Sequence, residues 1–260
     1  MEIALLPVSN KKMLYGLPPV KIKYPIDFSP ESTGYFQPPE LFYGHPFVNW
    51  AEIINNSARQ NTLRYKTFKY LTDLIFSFLI TLLLLSWLIP LIALGIKLDS
   101  AGPVFFLQKR KGLDGRSFIC IKFRSMYVND QSDVKPAEVG DPRITPFGRF
   151  LRKYYIDELP QFINVLWGSM TIVGPRPHMV TENDYYEKYI PDYSFRYKVK
   201  PGITGLGQVN NRNCLSGLEK MKKRIFWDTL YIKNWSQHLD LWIIYKTICF
   251  CVRSGNHLHS

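Results

Sequence analysis

From Leu74 to Ile96 the chain runs for 23 residues without a charged side chain, bounded by Asp73 and Lys97. Coiled as a helix, that block is about 35 Å long, enough to cross a hydrocarbon core of about 30 Å. Ala101, Gly102 and Pro103 end it. Residues 104–106 then read as a short strand, 112–115 (Gly-Leu-Asp-Gly) as a hairpin turn, and Ser117–Phe123 as the return strand. Residues 128–140 are polar, contain Pro136 and read as a mobile loop. Between 146 and 170 the pattern turns helical. Phe150, Leu151 and Tyr154 make one apolar patch, and Leu159, Phe162, Ile163, Leu166 and Trp167 recur at three- and four-residue intervals, marking one face of a helix. Asp157 stands at that helix's N-cap, with Pro160 in its first turn. A further helix is expected over about 216–227 and a last one over 239–250. The mixture of Trp242, Ile243, Tyr245, Lys246 and Phe250 suits either packing on the core or lying along a bilayer surface.

Charge changes how the apolar block is read. Arg59, Arg64, Lys66 and Lys69 precede it, and Lys97, Lys109, Arg110, Lys111, Arg116, Lys122 and Arg124 follow. Basic flanks prefer the cytoplasmic side of a membrane, and both flanks here are basic. A helix that enters and leaves by the same face satisfies both; a single span is the alternative. The bend it needs is available at Ser86 and Pro90, since proline removes a backbone donor and clashes with the preceding turn. The kink is expected near Ser86, whose hydroxyl can serve a freed carbonyl. Asp73, four residues after Lys69, can pair with it at the interface.

Composition adds less. At 260 residues, with 46% hydrophobic and 15% aromatic side chains, the chain could be one large domain or two small ones. The net charge of +12 suits anionic partners. No cleavable secretion signal is evident. With Pro18, Pro19, Pro25, Pro30, Pro38, Pro39 and Pro46 and no apolar core, residues 1–60 read as an irregular cytoplasmic extension. Cys120, Cys214, Cys249 and Cys251 form neither a disulfide framework nor a metal spacing, and Cys249 and Cys251 read as buried or interface cysteines. His45, His178, His238, His257 and His259 lack ligand spacing, which argues against zinc catalysis.

Candidate chemistry centres on Asp157 and Glu158. Alone, adjacent carboxylates at a helix start are a cap and a first-turn acid. Their surroundings shift the balance: Arg143, Arg149, Arg152 and Lys153 precede the pair, Arg176 sits between Pro175 and Pro177, and Arg212 follows a polar Gln208–Asn211 run. Arginines around a few acids suit an anionic, phosphate-bearing substrate, with the acids placed for a metal or for attack. Flanking prolines hold Arg176 stiffly, and Gly202 and Gly205 in the 201–205 string allow close backbone approach to a ligand. No zinc finger, helix-turn-helix, Walker A or dinucleotide glycine motif is present, so a nucleic acid is not the expected partner.

These strings together resemble the monotopic phosphoglycosyl transferases, also called bacterial sugar transferases, over about residues 66–255. The matching segments are KYLTDLIFS at 69–77, IKLDSAGPVFFLQKRKG at 96–112, IKFRSM at 121–126, GDPRITPFGRFLRK at 140–153, DELPQFINVLWGSMTIVGPRP at 157–177 and VKPGITGLGQVNNRN at 199–213. The resemblance implies an α/β, membrane-associated fold: a re-entrant helix over 66–97, then a compact, mostly helical cytoplasmic catalytic domain over 98–255 with a small β-hairpin. Residues 1–65 would be an extension of unknown role and 256–260 a tail. It implies Asp157 as nucleophile, and Glu158 as a ligand of Mg2+ that also shapes the dyad. Arg152, Arg176 and Arg212 would be phosphate- or donor-binding, Lys69 and Asp73 supports at the membrane interface, and Ser86 and Pro90 the kink. The implied reaction moves a sugar-1-phosphate from a nucleotide diphosphate sugar, UDP by family expectation, to a polyprenyl phosphate at the bacterial inner membrane. The implied partners are that donor, that acceptor and membrane lipids, with a second copy of the chain as a candidate. A membrane scaffold that has lost turnover is the rival reading.

Three departures from the family pattern stand out. Trp87, not proline, follows Ser86; Trp167-Gly168-Ser169-Met170 replaces a string with an acid after the glycine; and Asn211 replaces a glycine.

Overall fold

A computed structural model describes residues 63–138, 140–190, 192–210 and 217–256. The proposed N-terminal extension, Arg212, Asn211, Cys214 and the tail beyond 256 lie outside the described residues.

The apolar block forms two α-helical limbs, α1 (Leu63–Ile80) and α2 (Ser86–Asp99), joined by a π-helical turn over Thr81–Leu85. That turn has the Ser86 amide bonding back to Thr81 O. The Ser86 hydroxyl donates to Leu82 O at 2.6 Å, and the Trp87 indole donates to Leu83 O at 2.9 Å. Side chains thus serve carbonyls that the irregular ladder leaves over, which matters because lipid supplies no donors. The irregularity ends at Leu85, next to Ser86 and a little over one turn before Pro90. Trp87, which stands where the family resemblance implies proline, supplies a donor that proline could not.

Both limbs are fastened to the same domain. Lys69 on α1 reaches Asp240 at 2.6 Å and Asp73 at 3.7 Å, and Thr171 donates to Asp73. On α2, Ile92 and Ile96 pack with Phe123 and Leu151. Arg124 wraps the exit of α2, donating to Ser100 O and Ala101 O at 2.8 Å each, a cation at a helix C-terminus. A helix whose two ends are held by one compact domain cannot leave them on opposite faces of a bilayer. Only 17% of its most apolar window is buried, unlike the core helix of a soluble protein. Leu71, Ile75, Phe78, Leu82, Leu83, Leu91 and Leu94 face outward. The chain is membrane-associated through this re-entrant helix.

Beyond it, β1 (Phe105–Lys111) and β2 (Ser117–Phe123) form an antiparallel hairpin with Phe105 opposite Phe123. Its first strand extends five residues past the expected end at 106, and a short 3-10 turn over Leu113–Gly115 closes it. The next helices are α3 (Pro146–Lys153), capped by Thr145, and α4 (Gln161–Leu166). A 3-10 turn over Ile156–Glu158 separates them. Asp157 is therefore not the N-cap of α4, a place Pro160 takes without a side-chain bond. The chain leaves α3 through Tyr155 in the left-handed region (φ 58°), which stops the helix before the acidic pair can enter the next one.

The apolar stripe of α4 also has a different role from a core face. Gln161, Asn164 and Val165 are its buried side, whereas Leu159, Phe162, Ile163 and Leu166 are half-buried and Trp167 is 72% exposed. Phe162 meets Phe76 of α1 at 6.3 Å between ring centres. The stripe faces the membrane helix, and the core side docks by hydrogen bonds. Asn164 accepts from the Ile121 amide at 2.9 Å and donates to Ile119 O at 2.7 Å, so one amide side chain pairs with the outer edge of β2.

The two glycine-proline strings meet. β3 (Thr171–Val173) and β4 (Gly202–Thr204) pair in parallel, extended by Gly174 N to Thr204 O and Gly202 N to Pro175 O at 2.9 Å each. A Cβ on Gly202 would lie 2.1 Å from Gly174 N, so the approach requires glycine. The 201–205 string is thus a short strand, not a free-standing turn. Then follow α5 (Val180–Tyr186), a 3-10 stretch (Tyr193–Lys198), α6 (Leu206–Asn210), α7 (Gly217–Lys233) and α8 (Gln237–Asn256). α7 runs six residues beyond the expected 227 and α8 six beyond 250. α8 buries Leu239 and Ile243 but leaves Leu241, Tyr245, Ile248 and Val252 exposed along one side, so it packs on the core and also carries an outward apolar stripe.

Candidate active site

The acidic pair sits where α3, β2 and the 174–177 turn converge. Asp157 is 7% exposed and Glu158 9% exposed, although nothing in a pair of carboxylates favours burial. Glu158 is compensated in full. Lys122 on β2 donates to its Oε1 at 2.6 Å, and Arg176 straddles it, with Nη1 to Oε2 at 3.0 Å and Nη2 to Oε1. Arg176 foremost, with Lys122, holds the Glu158 carboxyl far below the usual carboxylate range against the opposing effect of burial. Glu158 in turn raises the Arg176 guanidinium.

Asp157 makes no hydrogen bond or ion pair among the described residues. Burial, then the neighbouring Glu158 charge, push its pKa up to about 6, with Lys122, Arg152 and Arg176 opposing. Arg152 is steered by Ser125, whose hydroxyl accepts from Nε at 2.7 Å. The backbone makes that steering possible: Gly148 on α3 lies against Ser125 O, where a Cβ would come within 2.0 Å. One carboxylate is thus locked by two cations, while the other is buried, open and encircled by positive charge. Such a group can attack an electrophile that itself brings negative charge.

Among the described residues, no three of His, Cys, Asp and Glu gather as a metal-ligand set. Glu158 accepts three hydrogen bonds, which leaves one of its roughly four lone-pair sites, and Asp157 has all of its own. Magnesium is commonly held by one or two carboxylates when substrate phosphates and water complete its oxygen shell. The pair fits an ion bound in that way.

Residues 64–254 match the family described as bacterial sugar transferase. The chain belongs to that family. It is 51% identical over 183 residues to the UDP-glucose:undecaprenyl-phosphate glucose-1-phosphate transferase of Klebsiella pneumoniae, covering 70% of this chain and 39% of that protein. A protein of the same name from Caulobacter vibrioides is 46% identical over 190 residues, covering 72% of this chain and 71% of the relative. A UDP-N-acetylgalactosamine-undecaprenyl-phosphate N-acetylgalactosaminephosphotransferase of Aeromonas hydrophila is 46% identical over 154 residues, 59% of this chain and 36% of that protein. The chain spans between a third and two fifths of the length of several curated relatives it matches, the Klebsiella protein among them.

Of the site residues read from sequence, the fold brings together Asp157, Glu158, Arg152 and Arg176. Lys69 and Asp73 lie elsewhere, at the base of the membrane helix. Lys122 was missed as a site residue because it counted only as part of a basic flank. Its signal was alternation: on β2, Cys120 and Lys122 share a face opposite Ile121 and Phe123, so a lysine in that register is directed at whatever covers the hairpin. Asn164, the polar residue amid Phe162, Ile163, Val165 and Leu166, was likewise readable as a docking group.

Proposed function

We propose that the chain transfers a sugar-1-phosphate from a UDP-sugar to a membrane polyprenyl phosphate through a covalent intermediate on Asp157. The supporting observation is the buried Asp157 carboxylate, without a hydrogen bond or ion pair among the described residues, beside a Glu158 held by Lys122 and Arg176, inside the region matched to the family. An Asp157 oxygen attacks the phosphorus that carries the sugar, the bond to the uridylyl phosphate breaks, and UMP leaves. The acceptor phosphate then attacks the same phosphorus, the acyl-phosphate bond breaks, and the free carboxylate returns. Splitting the transfer lets one compact site serve a soluble donor and a lipid acceptor in turn.

The chain's own groups divide the work. Lys122 and Arg176 keep Glu158 ionised, and Arg152 is placed by Ser125 to meet a donor phosphate. Arg212 belongs to the donor side by family expectation. Bound Mg2+, held by Glu158 with substrate oxygens, would neutralise phosphate charge. The re-entrant helix keeps Asp157 at the height of a lipid phosphate, on the cytoplasmic side of a bacterial inner membrane. Lys69 and Asp73 support that helix, and Ser86 and Pro90 give its bend. On this reading 66–97 is the membrane helix and 98–255 the catalytic domain, with residues 1–65 an extension of unknown role. UDP-glucose is the first donor to test, because relatives 46–54% identical carry its name.

The deciding experiment supplies membrane-embedded protein with Mg2+ and UDP-sugars, with and without polyprenyl phosphate, and follows UMP. Release in substoichiometric to stoichiometric amount without lipid, and sustained release with it, is expected. Release that is sustained without any lipid acceptor, or absent for every UDP-sugar, overturns the reading.

A further inference from the structure

Arg176 owes its place to the 174–177 turn, and that turn is held from behind by side chains with no part in the transfer described above. Arg196, 4% exposed on the Tyr193–Lys198 stretch, donates its Nη2 to the backbone carbonyl of Arg176 itself. The same nitrogen lies 3.0 Å from Asp228 Oδ2 on α7, and Nη1 donates to Tyr193 Oη at 3.1 Å. The carbonyl of the next residue, Pro177, accepts from Arg110 of β1. Two successive carbonyls of one turn are thus each taken by a buried guanidinium.

His178, at the end of the turn, makes this crowding possible. It is 3% exposed and faces Arg196, Arg224, Arg110 and Arg176, with burial and these charges holding its pKa well below the usual value. Arg224 Nη1 lies 3.0 Å from Nε2 and Arg196 Nη1 lies against Nδ1, so a guanidinium faces each nitrogen of the neutral ring. Nδ1 also lies 2.9 Å from Tyr193 Oη, and Tyr193 donates to Asn183 Oδ1 at 2.8 Å. Asn183 closes the ring by donating to His178 O at 3.1 Å. These contacts together fix the side chains that Arg196 leans on.

We propose that Arg196 is a positioning residue: with neutral His178 and Tyr193 behind it, it sets the 174–177 turn so that the Arg176 guanidinium is presented to Glu158 and to the donor's phosphates. Lysine in its place has one ammonium and cannot serve Arg176 O, Asp228 and Tyr193 together. This inference rests on the reading that Arg176 contacts the donor.

The test is a double-mutant cycle read by binding, on full-length protein in lipid nanodiscs, with UDP titrated calorimetrically in the presence of Mg2+. Arg196→Lys is expected to weaken UDP binding about tenfold and Arg176→Ala about thirtyfold, with the double variant no weaker than Arg176→Ala alone. Tyr193→Phe deletes one hydroxyl from a buried ring and is expected to weaken binding about threefold, again with no effect on top of Arg176→Ala. It carries the cycle if Arg196→Lys does not fold. A merely structural role would let the losses multiply. Losses that multiply, or single variants that bind UDP as the wild type does, overturn the proposal. Wild-type protein that binds UDP in this pattern yet releases no UMP would sink the proposed transfer and leave the positioning role standing.

Discussion

Two acidic clusters, one at the base of the membrane helix and one in the active site, treat charge differently. At the base, Asp240 accepts from Lys69 at 2.6 Å, Trp235 at 2.9 Å and Tyr231 at 2.8 Å, while Asp73 takes Lys69 and Thr171. Every carboxylate there is matched. In the active site Glu158 is held as thoroughly, but Asp157, one residue away and equally buried, has no hydrogen bond or ion pair among the described residues. Matching holds a buried charge in place, and leaving one unmatched keeps a carboxylate high in energy and open to react. The base cluster is a fastening, and the dyad is a fastening with one member withheld.

The comparison breaks most visibly at the withheld member. Asp157→Asn is expected to lower kcat by about 10³-fold or more, and incubation with sugar-labelled donor without lipid should no longer label the protein. Equal labelling of wild type and variant would remove Asp157 as nucleophile. Since attack needs the ionised carboxyl and its pKa lies at about 6, kcat/KM should fall tenfold per unit as pH drops below about 6. Glu158→Gln tests the matched neighbour. It strips the counter-charge from Lys122 and Arg176 together and is expected to cost about 3–5 kcal/mol of stability, seen as a lower denaturation midpoint.

How far sequence carried this contrast depends on distance along the chain. The hairpin, the Arg152–Asp157–Glu158 neighbourhood and the apolar block were all local patterns, and the fold keeps them. Lys122 approaches Glu158 across 36 residues and β3 finds β4 across 31, and nothing within either segment names its partner. Periodicity marked the correct apolar face on α4 but could not tell that it meets a membrane helix, because lipid and core are equally apolar. Asp157 looked like an N-cap because helix periodicity resumes just after it. The left-handed Tyr155, which decides otherwise, is a non-glycine residue with no sequence signature.

At the base cluster, Lys69→Met should leave Asp240 buried with only its neutral donors, Trp235 and Tyr231. A loss of about 2–3 kcal/mol is expected, with a change in kcat smaller than that of Asp157→Asn. A Lys69→Met enzyme as stable as wild type would show that the base is no fastening and would remove half of the contrast. Asp240→Asn is gentler, because it removes the charge but keeps an acceptor for Tyr231.

The smallest effect is the most discriminating, because burial and the Glu158 charge raise the Asp157 pKa while Arg176 and Lys122 depress that of Glu158, so the two neighbours should respond to pH with opposite signs. The folded-state pKa of Asp157 is raised above the ordinary 3.8. Its contribution to stability is therefore fully present below about 4 and is lost as pH rises through about 6, where burial of the ionised form begins to cost. Asp157→Asn carries no such charge and should be more stable than wild type at pH 8, by on the order of 1–2 kcal/mol once solvent relaxation around the ion is allowed for. The gain should shrink through pH 6 and vanish near pH 4. For Glu158, whose pKa is depressed, the sign reverses: its contribution is fully present above the ordinary 4.5 and is lost only as pH falls through the far lower folded value, so Glu158→Gln should lie below wild type at pH 8 and still do so near pH 4. Chemical-denaturation midpoints of the two variants across pH 4–8 should therefore diverge from wild type in opposite directions. If both variants fell below wild type by a constant amount across that range, the two carboxylates would be equally matched, and Asp157 would be no more poised to react than its neighbour.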